Sequence, residues 1–166
     1  MPRQLWLLRH GEAEPHDAAP DEQRRLTPRG ERQATDAGVA LAAAGLELAA
    51  AYTSPRVRAL DTARLACAAL GVEPVVHRPL SAGFDAEDAA ELLAGAGADD
   101  RVLVVGHEPD LSAVVRDLTG ARVDFKKGGV AAVRLEGTRD GWLLALLRPK
   151  ELEAMAAGLG SATPSS

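Results

Sequence analysis

The sequence predicts an α/β fold, a three-layer α/β/α sandwich with a mostly parallel central sheet and a C-terminal antiparallel hairpin. Two observations lead to this prediction. Short apolar runs alternate with segments of helical periodicity along most of the chain, a pattern typical of parallel strands joined by helices. The last two apolar runs are instead joined by Glu136-Gly137-Thr138-Arg139-Asp140-Gly141, a sequence typical of a hairpin turn.

Each predicted element has a local signal. Four consecutive apolar residues, Leu5 to Leu8, indicate a strand that is buried on both faces. Thr27-Pro28 and Ser54-Pro55 each put a capping residue before a proline, which favours a helix start at both positions. Further strands are predicted at residues 48–53, 74–77, 101–105, 129–135 and 142–147, and further helices at residues 86–93, 111–118 and 150–157.

Composition limits the class of protein. With 166 residues, of which 46% are hydrophobic, the chain is long enough for one domain with its own core. We expect that domain to span residues 1–159 and residues 160–166 to form a disordered tail. The formal net charge of -5 argues against a general nucleic-acid or membrane surface. Any anion-binding site must therefore come from a local group of arginines.

The cysteine content and the N-terminal sequence indicate the compartment. Cys67 is the only cysteine, which excludes an internal disulfide, and it falls on the apolar side of a predicted helix. We expect it to be a small buried residue rather than a nucleophile. The sequence begins almost at once with a predicted strand, and no apolar run reaches membrane-spanning length. A cytoplasmic protein is expected.

Two patterns that could bind a metal or a cofactor do not fit their usual contexts. His10, Glu12, His16 and Asp17 lie close together in sequence, but their spacing matches no zinc motif and the prolines around them favour an irregular loop. The glycine-rich segment at residues 95–97 precedes a predicted strand, whereas a dinucleotide fingerprint follows one. We expect neither a metal nor a cofactor.

Two histidines follow buried strands and have glycine neighbours. His10 ends the first apolar run, and His107 ends the run at residues 101–105. If the two strands are neighbours, both side chains face one crevice at the carboxyl edge of the sheet. The predicted helix that begins at Ser54-Pro55 carries Arg56 and Arg58. At about 100° per residue these arginines point about 200° apart, so only one is expected to face the crevice.

This combination of side chains suits phosphoryl transfer without a metal. One imidazole can attack phosphorus, while arginines and the amides of a helix N-terminus stabilise charge on the phosphoryl oxygens. Arginines match phosphoryl oxygens in geometry and remain charged. They also lower the pKa of a neighbouring histidine, which keeps it neutral and able to attack.

Four short motifs follow one another along the chain. They are Leu8-Arg9-His10-Gly11-Glu12, Leu26-Thr27-Pro28-Arg29-Gly30 with Gln33-Ala34, Thr53-Ser54-Pro55-Arg56-Val57-Arg58-Ala59 with Thr62-Ala63, and Gly106-His107. In order and spacing these motifs resemble those of the histidine phosphatase (phosphoglycerate mutase-like) superfamily. The short length, the Gly-His-Glu-Pro turn at residues 106–109 and the C-terminal hairpin resemble its phosphohistidine phosphatase SixA branch in particular.

The resemblance implies roles for individual residues. His10 would be the nucleophile that is transiently phosphorylated, and Arg9, Arg58 and His107 would bind the phosphoryl group. The family pattern also makes Arg58 the arginine that faces the pocket, so Arg56 would be a rim residue at most. Two further candidates for phosphate contact are Arg24 and Arg25, just ahead of the second motif.

The general acid is the weakest part of the match. Larger family members carry an acidic residue in a long central insertion, where this chain has only residues 83–88. Asp85 and Glu87 are the candidates there, and both fit equally well as a helix cap and a solvated first turn. An imidazole leaves more readily than a sugar alkoxide, so a phosphohistidine substrate depends less on this acid.

The sequence therefore predicts a metal-independent phosphatase whose substrate is phosphohistidine on a protein. A small phosphometabolite, such as a sugar or nucleotide phosphate, is the alternative substrate. A non-catalytic phosphate-binding module is a further alternative, although nothing selects the four residues Arg9, His10, Arg58 and His107 for binding alone. Neither a nucleic-acid nor a membrane partner is expected.

Overall fold

One six-stranded sheet forms the centre of residues 2–137 and 139–160, the part of the chain that this computed structural model describes. The strand order is β3-β2-β4-β1-β5-β6, with β1 to β4 parallel and β5 antiparallel to both of its neighbours. The predicted fold class is confirmed. The strands are β1 (Gln4–Arg9), β2 (Ala50–Thr53), β3 (Pro74–Val76), β4 (Arg101–Gly106), β5 (Val130–Leu135) and β6 (Gly141–Leu147).

Helices cover both faces of the sheet. Helices α1, α2 and α5 pack on one face together with Leu8 and Leu103, whereas α3 and α4 pack on the other face together with Leu7 and Val104. Neighbouring residues of β1 and β4 therefore enter opposite cores, which explains their continuous apolar sequences. The helices are α1 (Pro28–Ala43), α2 (Val57–Leu70), α3 (Ala86–Ala94), α4 (Asp110–Thr119) and α5 (Pro149–Gly160).

Two helix starts agree with the sequence signals. The hydroxyl of Thr27 accepts a hydrogen bond from the amide of Gly30 at 3.0 Å, with Pro28 in the first helical position of α1. Asp85 caps α3, and its carboxylate accepts from the amide of Asp88 at 2.9 Å. The carboxylate of Asp88 in turn accepts from the amide of Asp85, so the pair forms a reciprocal capping box.

The predicted cap at Ser54 is wrong. Helix α2 begins at Val57, and Ser54 lies outside it, where its hydroxyl accepts from the amide of Arg56 at 3.2 Å. Helix α4 begins directly after Pro109 without a side-chain cap, and the carboxylate of Asp110 accepts from the amide of Gly83 instead. The carboxylate of Asp110 thus has a tertiary partner, whereas the hydroxyl of Ser54 makes a local bond before the helix begins.

The C-terminal prediction is only partly covered by the structure. Helix α5 continues through Gly160, one residue beyond the predicted domain boundary. The remainder of the predicted tail, residues 161–166, lies outside the described residues. Of the helices in residues 2–137 and 139–160, none combines the length and apolar character that crossing a bilayer requires.

Strand order brings three chain segments together at one edge of the sheet. Strand β4 lies between β1 and β2, and the register pairs Arg9 with Gly106 and Thr53 with Val105. The residues that follow these strands are His10, His107 and Ser54. Because all three strands are parallel, these residues emerge side by side at the carboxyl edge, where open α/β sheets bind ligands.

A close approach between two glycines fixes the loop after β1 against the first turn of α1. A Cβ atom on Gly30 would lie 2.0 Å from the carbonyl oxygen of Glu12, and one on Gly11 would lie 2.6 Å from the carbonyl oxygen of Gly30. Both obstacles are backbone atoms, which cannot move away as a side chain would. The two glycines therefore determine how closely His10 is held to α1.

We expect Gly30→Ala to lower the free energy of unfolding by about 1–3 kcal/mol or more, because overpacking here must displace backbone. Gly95→Ala is the matched control, since a Cβ atom there would have its nearest neighbour at 3.7 Å. Denaturant unfolding measures both changes. Equal stabilities for the two variants would contradict the close approach.

Candidate active site

His10 and His107 face each other at the carboxyl edge of the sheet. Their ring centroids are 5.2 Å apart and the ring planes are inclined by 51°. Both residues are buried, with exposed fractions of 6% and 7%. The structure therefore brings together the two histidines that the sequence singled out, in a setting that removes them from bulk water.

Hydrogen bonding determines which nitrogen of His10 carries the proton. Nδ1 of His10 lies 2.7 Å from the carbonyl oxygen of Gly11. A carbonyl oxygen can only accept, so Nδ1 must carry the hydrogen and Nε2 keeps its lone pair. Nε2 is then the nucleophilic nitrogen of this side chain.

Burial lowers the pKa of both histidines. The pKa of His10 falls to about 4, chiefly through desolvation, with further lowering by the charges of Arg58, Arg9 and Lys127. The pKa of His107 falls to about 3 through desolvation, followed by the influence of His10 and Arg58. Both rings are therefore neutral near pH 7, as a nucleophilic imidazole must be.

Three buried nitrogen atoms around these rings have no protein partner. They are Nε of Arg9, Nε of Arg58 and Nδ1 of His107. The other groups of these side chains are held: Nη1 of Arg9 donates to the carbonyl oxygen of Phe125 at 2.7 Å, and Nη1 of Arg58 donates to that of Asp21 at 2.7 Å. Buried polar groups are normally paired, so three unpaired nitrogens together indicate an anion-binding position.

Asp21 organises the arginines, and sequence reasoning missed it. Its carboxylate binds Arg24 at 2.9 Å, Arg58 at 3.2 Å and also Arg56. Burial alone would raise the pKa of Asp21, but the hydrogen bonds and charges of Arg24 and Arg58 outweigh it and lower the pKa to about 2. Asp21 is thus ionised and offsets part of the local positive charge.

The expectation that Arg56 and Arg58 point to opposite sides is wrong. Arg56 precedes α2 and has extended backbone angles of φ -64° and ψ 136°. The helical 100° increment does not apply across this residue, and both guanidinium groups reach Asp21. Arg56 is nevertheless the more exposed of the two, with a side-chain exposed fraction of 22% against 6% for Arg58.

Two buried hydroxyl groups also belong to the site. The hydroxyl oxygen of Ser54 lies 2.7 Å from Nε2 of His107. The hydroxyl of Thr62 accepts from the amide of Gly11 at 3.1 Å and donates to the carbonyl oxygen of Arg58 at 2.7 Å. Thr62 therefore ties the loop of His10 to the helix of Arg58. Ser54 and Thr62 both belong to the third motif, which is the only sequence signal for these roles.

The remaining candidates have other contacts. Arg24 is buried, and its guanidinium binds Asp21 and the carbonyl oxygen of Glu14. Arg25 is exposed and contributes its backbone amide to the carboxylate of Glu14 at 2.8 Å. Asp85 and Glu87, the general-acid candidates, respectively cap α3 and form an exposed ion pair with Arg139 at 3.1 Å. The hydrogen bonds and ion pairs of these two acids involve none of the four central residues.

Possible metal ligands are not grouped in the described structure. Among residues 2–137 and 139–160, no set of three or more histidine, cysteine, aspartate or glutamate residues could hold a metal ion. The carboxylate of Glu12 instead accepts from the hydroxyl of Thr27 at 3.1 Å. Cys67 is buried in the core, and desolvation raises its pKa to about 11, so its thiol is protonated near pH 7.

Comparison with known proteins places this site in a family. The family model for the histidine phosphatase superfamily (branch 1) matches residues 5–81. An uncharacterized protein of Picosynechococcus sp. (strain ATCC 27264 / PCC 7002 / PR-6) is 33% identical over 90% of this chain and 98% of its own length. The chain belongs to the histidine phosphatase superfamily.

Several solved structures share the fold. The protein histidine phosphatase SixA complexed with tungstate has a TM-score of 0.80 and 25% identity, over 90% of this chain and 99% of that one. A structure provisionally assigned to phosphohistidine phosphatase SixA from Nakamurella multipartitia has a TM-score of 0.70 and 28% identity, over 89% and 96%. Phosphoserine phosphatase from Entamoeba histolytica, with 3-phosphoglyceric acid, has a TM-score of 0.71 and 16% identity, over 90% and 99%. Superfamily membership supports phosphatase activity.

The lowered pKa values make stability depend on pH. Each histidine has a folded-state pKa below its ordinary value of 6.5, so the unfolded chain binds protons first as pH falls. We expect the free energy of unfolding to decrease as pH falls from about 6.5 to about 4, by up to about 1.4 kcal/mol per pH unit for each ring. Asp21 affects stability at lower pH. Its pKa is lowered from 3.8 to about 2, so the stability that its ionised form contributes is lost only as pH falls through that range.

Denaturant unfolding at a series of pH values measures this effect. The double variant His10→Asn, His107→Asn should flatten the dependence between pH 6.5 and pH 4, since asparagine does not titrate. His16→Asn is the control, because it removes an exposed ring. A double variant with the same pH dependence as the unaltered protein would refute this origin.

Proposed function

We propose that this protein is a metal-independent phosphatase that works through phospho-His10, and that its substrate is phosphohistidine on another protein. The observation that carries the proposal is the group of three unpaired buried nitrogens, from Arg9, Arg58 and His107, beside a histidine whose Nε2 lone pair is free. The three unpaired nitrogens supply donors for a phosphoryl group, and Nε2 of His10 supplies the nucleophile.

The proposed reaction has two displacement steps. In the first, Nε2 of His10 attacks phosphorus and the bond to the substrate imidazole breaks. That imidazole leaves with the bonding electrons, neutral if its other nitrogen carries a proton and otherwise taking one from water. In the second, a water oxygen attacks phosphorus, and the bonding electrons return to Nε2. The proton released by the water passes to the phosphate product or to solvent.

Hydrogen bonding supports the part that we assign to His107. The hydroxyl of Ser54 already accepts from the amide of Arg56, so its own hydrogen is free to donate to Nε2 of His107. In that arrangement Nδ1 of the neutral ring carries a hydrogen. Nδ1–H is then a donor for a phosphoryl oxygen, and Ser54 is a positioning residue.

The contacts of the acidic residues favour phosphohistidine as the substrate. Asp85 and Glu87, the candidates for a general acid, are engaged by the α3 cap and by Arg139. Without an acid supplied by these two residues, a leaving group that departs readily reacts best, and imidazole with a pKa of about 6.5 departs more readily than an alkoxide. The likeness to the protein histidine phosphatase SixA, at 25% identity, supports the same substrate class.

A small phosphometabolite is the second candidate substrate. A cleft of about 460 Å³ adjoins Arg9, and this volume is within the range of small-molecule sites. The same two-step chemistry would apply, with the leaving oxygen taking its proton from solvent.

We expect brief incubation with ³²P-labelled phosphohistidine protein, followed by an alkaline quench, to trap an acid-labile phosphoenzyme. His10→Ala should abolish the label, because no nucleophile remains. Arg58→Ala should slow its formation on the order of 100- to 1,000-fold, the usual loss for one such electrostatic donor. The control is Arg64→Ala, which removes an exposed arginine of the same helix and should leave the rate of phosphoenzyme formation unchanged. Label that persists in His10→Ala, or that resists acid, would rule out this intermediate.

A substrate panel with chelator present tests the substrate class. We expect kcat/KM for a phosphohistidine protein to exceed that for sugar and nucleotide phosphates by about 100- to 10,000-fold, the range that a general acid contributes elsewhere. A higher kcat/KM for a small metabolite would show that the substrate is a small phosphometabolite and not a phosphohistidine protein. Turnover of no phosphorylated compound would favour a phosphate-binding module. Loss of activity to chelator would contradict the metal-independent mechanism.

A further inference from the structure

A strongly basic cleft of about 460 Å³ adjoins Arg9 and is not used by the proposed reaction. We define the basic cleft by five cations that line it beyond Arg9. They come from three segments, the first turn of α1, the loop before β5 and the junction of β6 and α5. The five are Arg29, Lys126, Lys127, Arg148 and Lys150. Such a concentration of positive charge is unexpected in a chain with a formal net charge of -5.

Backbone hydrogen bonds join the basic cleft to the candidate active site. The amide of Gly128 donates to the carbonyl oxygens of Arg9 and His10 at 3.1 and 2.9 Å. In the same loop, the carbonyl oxygen of Phe125 accepts from the guanidinium of Arg9. The loop that carries Lys126 and Lys127 is thus fastened to the residues that would hold the phosphoryl group. The charge of Lys127 also contributes to the lowered pKa of His10.

Three of the five cations form no ion pair with another described residue. Lys126 pairs with Asp124 at 2.8 Å, and Arg148 pairs with Glu151 at 2.8 Å. Within the described residues, no carboxylate lies within 4.0 Å of the charged groups of the other three. These are Arg29, Lys127 and Lys150. The basic cleft therefore holds unpaired positive charge that a ligand can pair.

We propose that the basic cleft binds acidic side chains that flank the phosphohistidine of a protein substrate. This inference rests on the proposed function and names a feature of the substrate. The unpaired cations come from three separate segments, one in each, so they match several single charges along a polypeptide better than one compact polyanion. Glu12 also lines the cleft, and its carboxylate would repel a dense polyphosphate. Long, flexible side chains at an exposed rim are suited to charge selection and to faster association.

The test compares two phosphohistidine peptides of equal length, one with glutamate and one with glutamine at the flanking positions. We expect the acidic peptide to have a kcat/KM about tenfold higher, mainly through KM, since several exposed ion pairs of modest strength add together. The preference should shrink as salt is added, because exposed charges are screened beyond about 8–10 Å at physiological ionic strength.

The double variant Arg29→Glu, Lys150→Glu should abolish or invert the preference. Both positions lie in the first turn of a helix, where glutamate is favourable to the helix, so the fold should tolerate them. The double variant Arg116→Glu, Arg122→Glu is the matched control, because it makes the same charge change at two exposed arginines that line a different cavity. It should keep the preference of the unaltered protein.

The outcomes separate this inference from the proposed function. If neither peptide is hydrolysed, the phosphohistidine substrate itself is wrong. If both are hydrolysed with equal kcat/KM, or if the double variant keeps the preference, the proposed function stands and the inference is overturned. A bisphosphorylated small molecule that is preferred to the acidic peptide, with a preference that the double variant removes, would likewise overturn it in favour of a small-molecule anion site.

Discussion

The hydrogen bond between Nδ1 of His10 and the carbonyl oxygen of Gly11 is the interaction on which the rest of the site depends. It fixes the tautomer and so leaves the lone pair on Nε2. That carbonyl group is held in place by the close approach of Gly11 to Gly30 and by the bond from its own amide to Thr62. The tight packing of the loop after β1 against α1 and α2 therefore has a chemical consequence. The proposed nucleophile is oriented by a backbone carbonyl group rather than by a neighbouring carboxylate.

Electrostatic balance at the site is achieved by keeping the histidines neutral. A buried imidazolium next to Arg9 and Arg58 would be costly, and desolvation lowers both histidine pKa values far enough to avoid it. The permanent charge belongs to the arginines, and Asp21 offsets part of it from the solvent side. This carboxylate is 43% exposed, so water screens its pairs and they hold geometry more than they add stability.

Sequence reasoning reached the parts of the structure that depend on local patterns. Continuous apolar runs identified β1 and β4, and the turn chemistry identified the hairpin, so the fold and the meeting of His10 with His107 could be predicted. Ser54 was expected to cap a helix, because capping is the usual local role of such a residue. Its bond to His107 depends on a contact between residues 53 positions apart, which no local pattern encodes. Asp21 reaches Arg58 across 37 positions for the same reason.

The partners of the arginines explain how a site without a carboxylate at its centre can keep its charge for a ligand. Arg9 is oriented by the carbonyl oxygen of Phe125, a neutral acceptor that fixes direction without cancelling charge. Arg58 combines a carbonyl bond with one to the carboxylate of Asp21, whereas the side chain of Arg24 binds that carboxylate and the carbonyl oxygen of Glu14. Arg9 thus has no ion pair within the described residues, and its charge is offset only at longer range by Glu108 and Asp124. It also borders the basic cleft, so the positive field that would hold a phosphoryl group continues towards Lys127 and the surface.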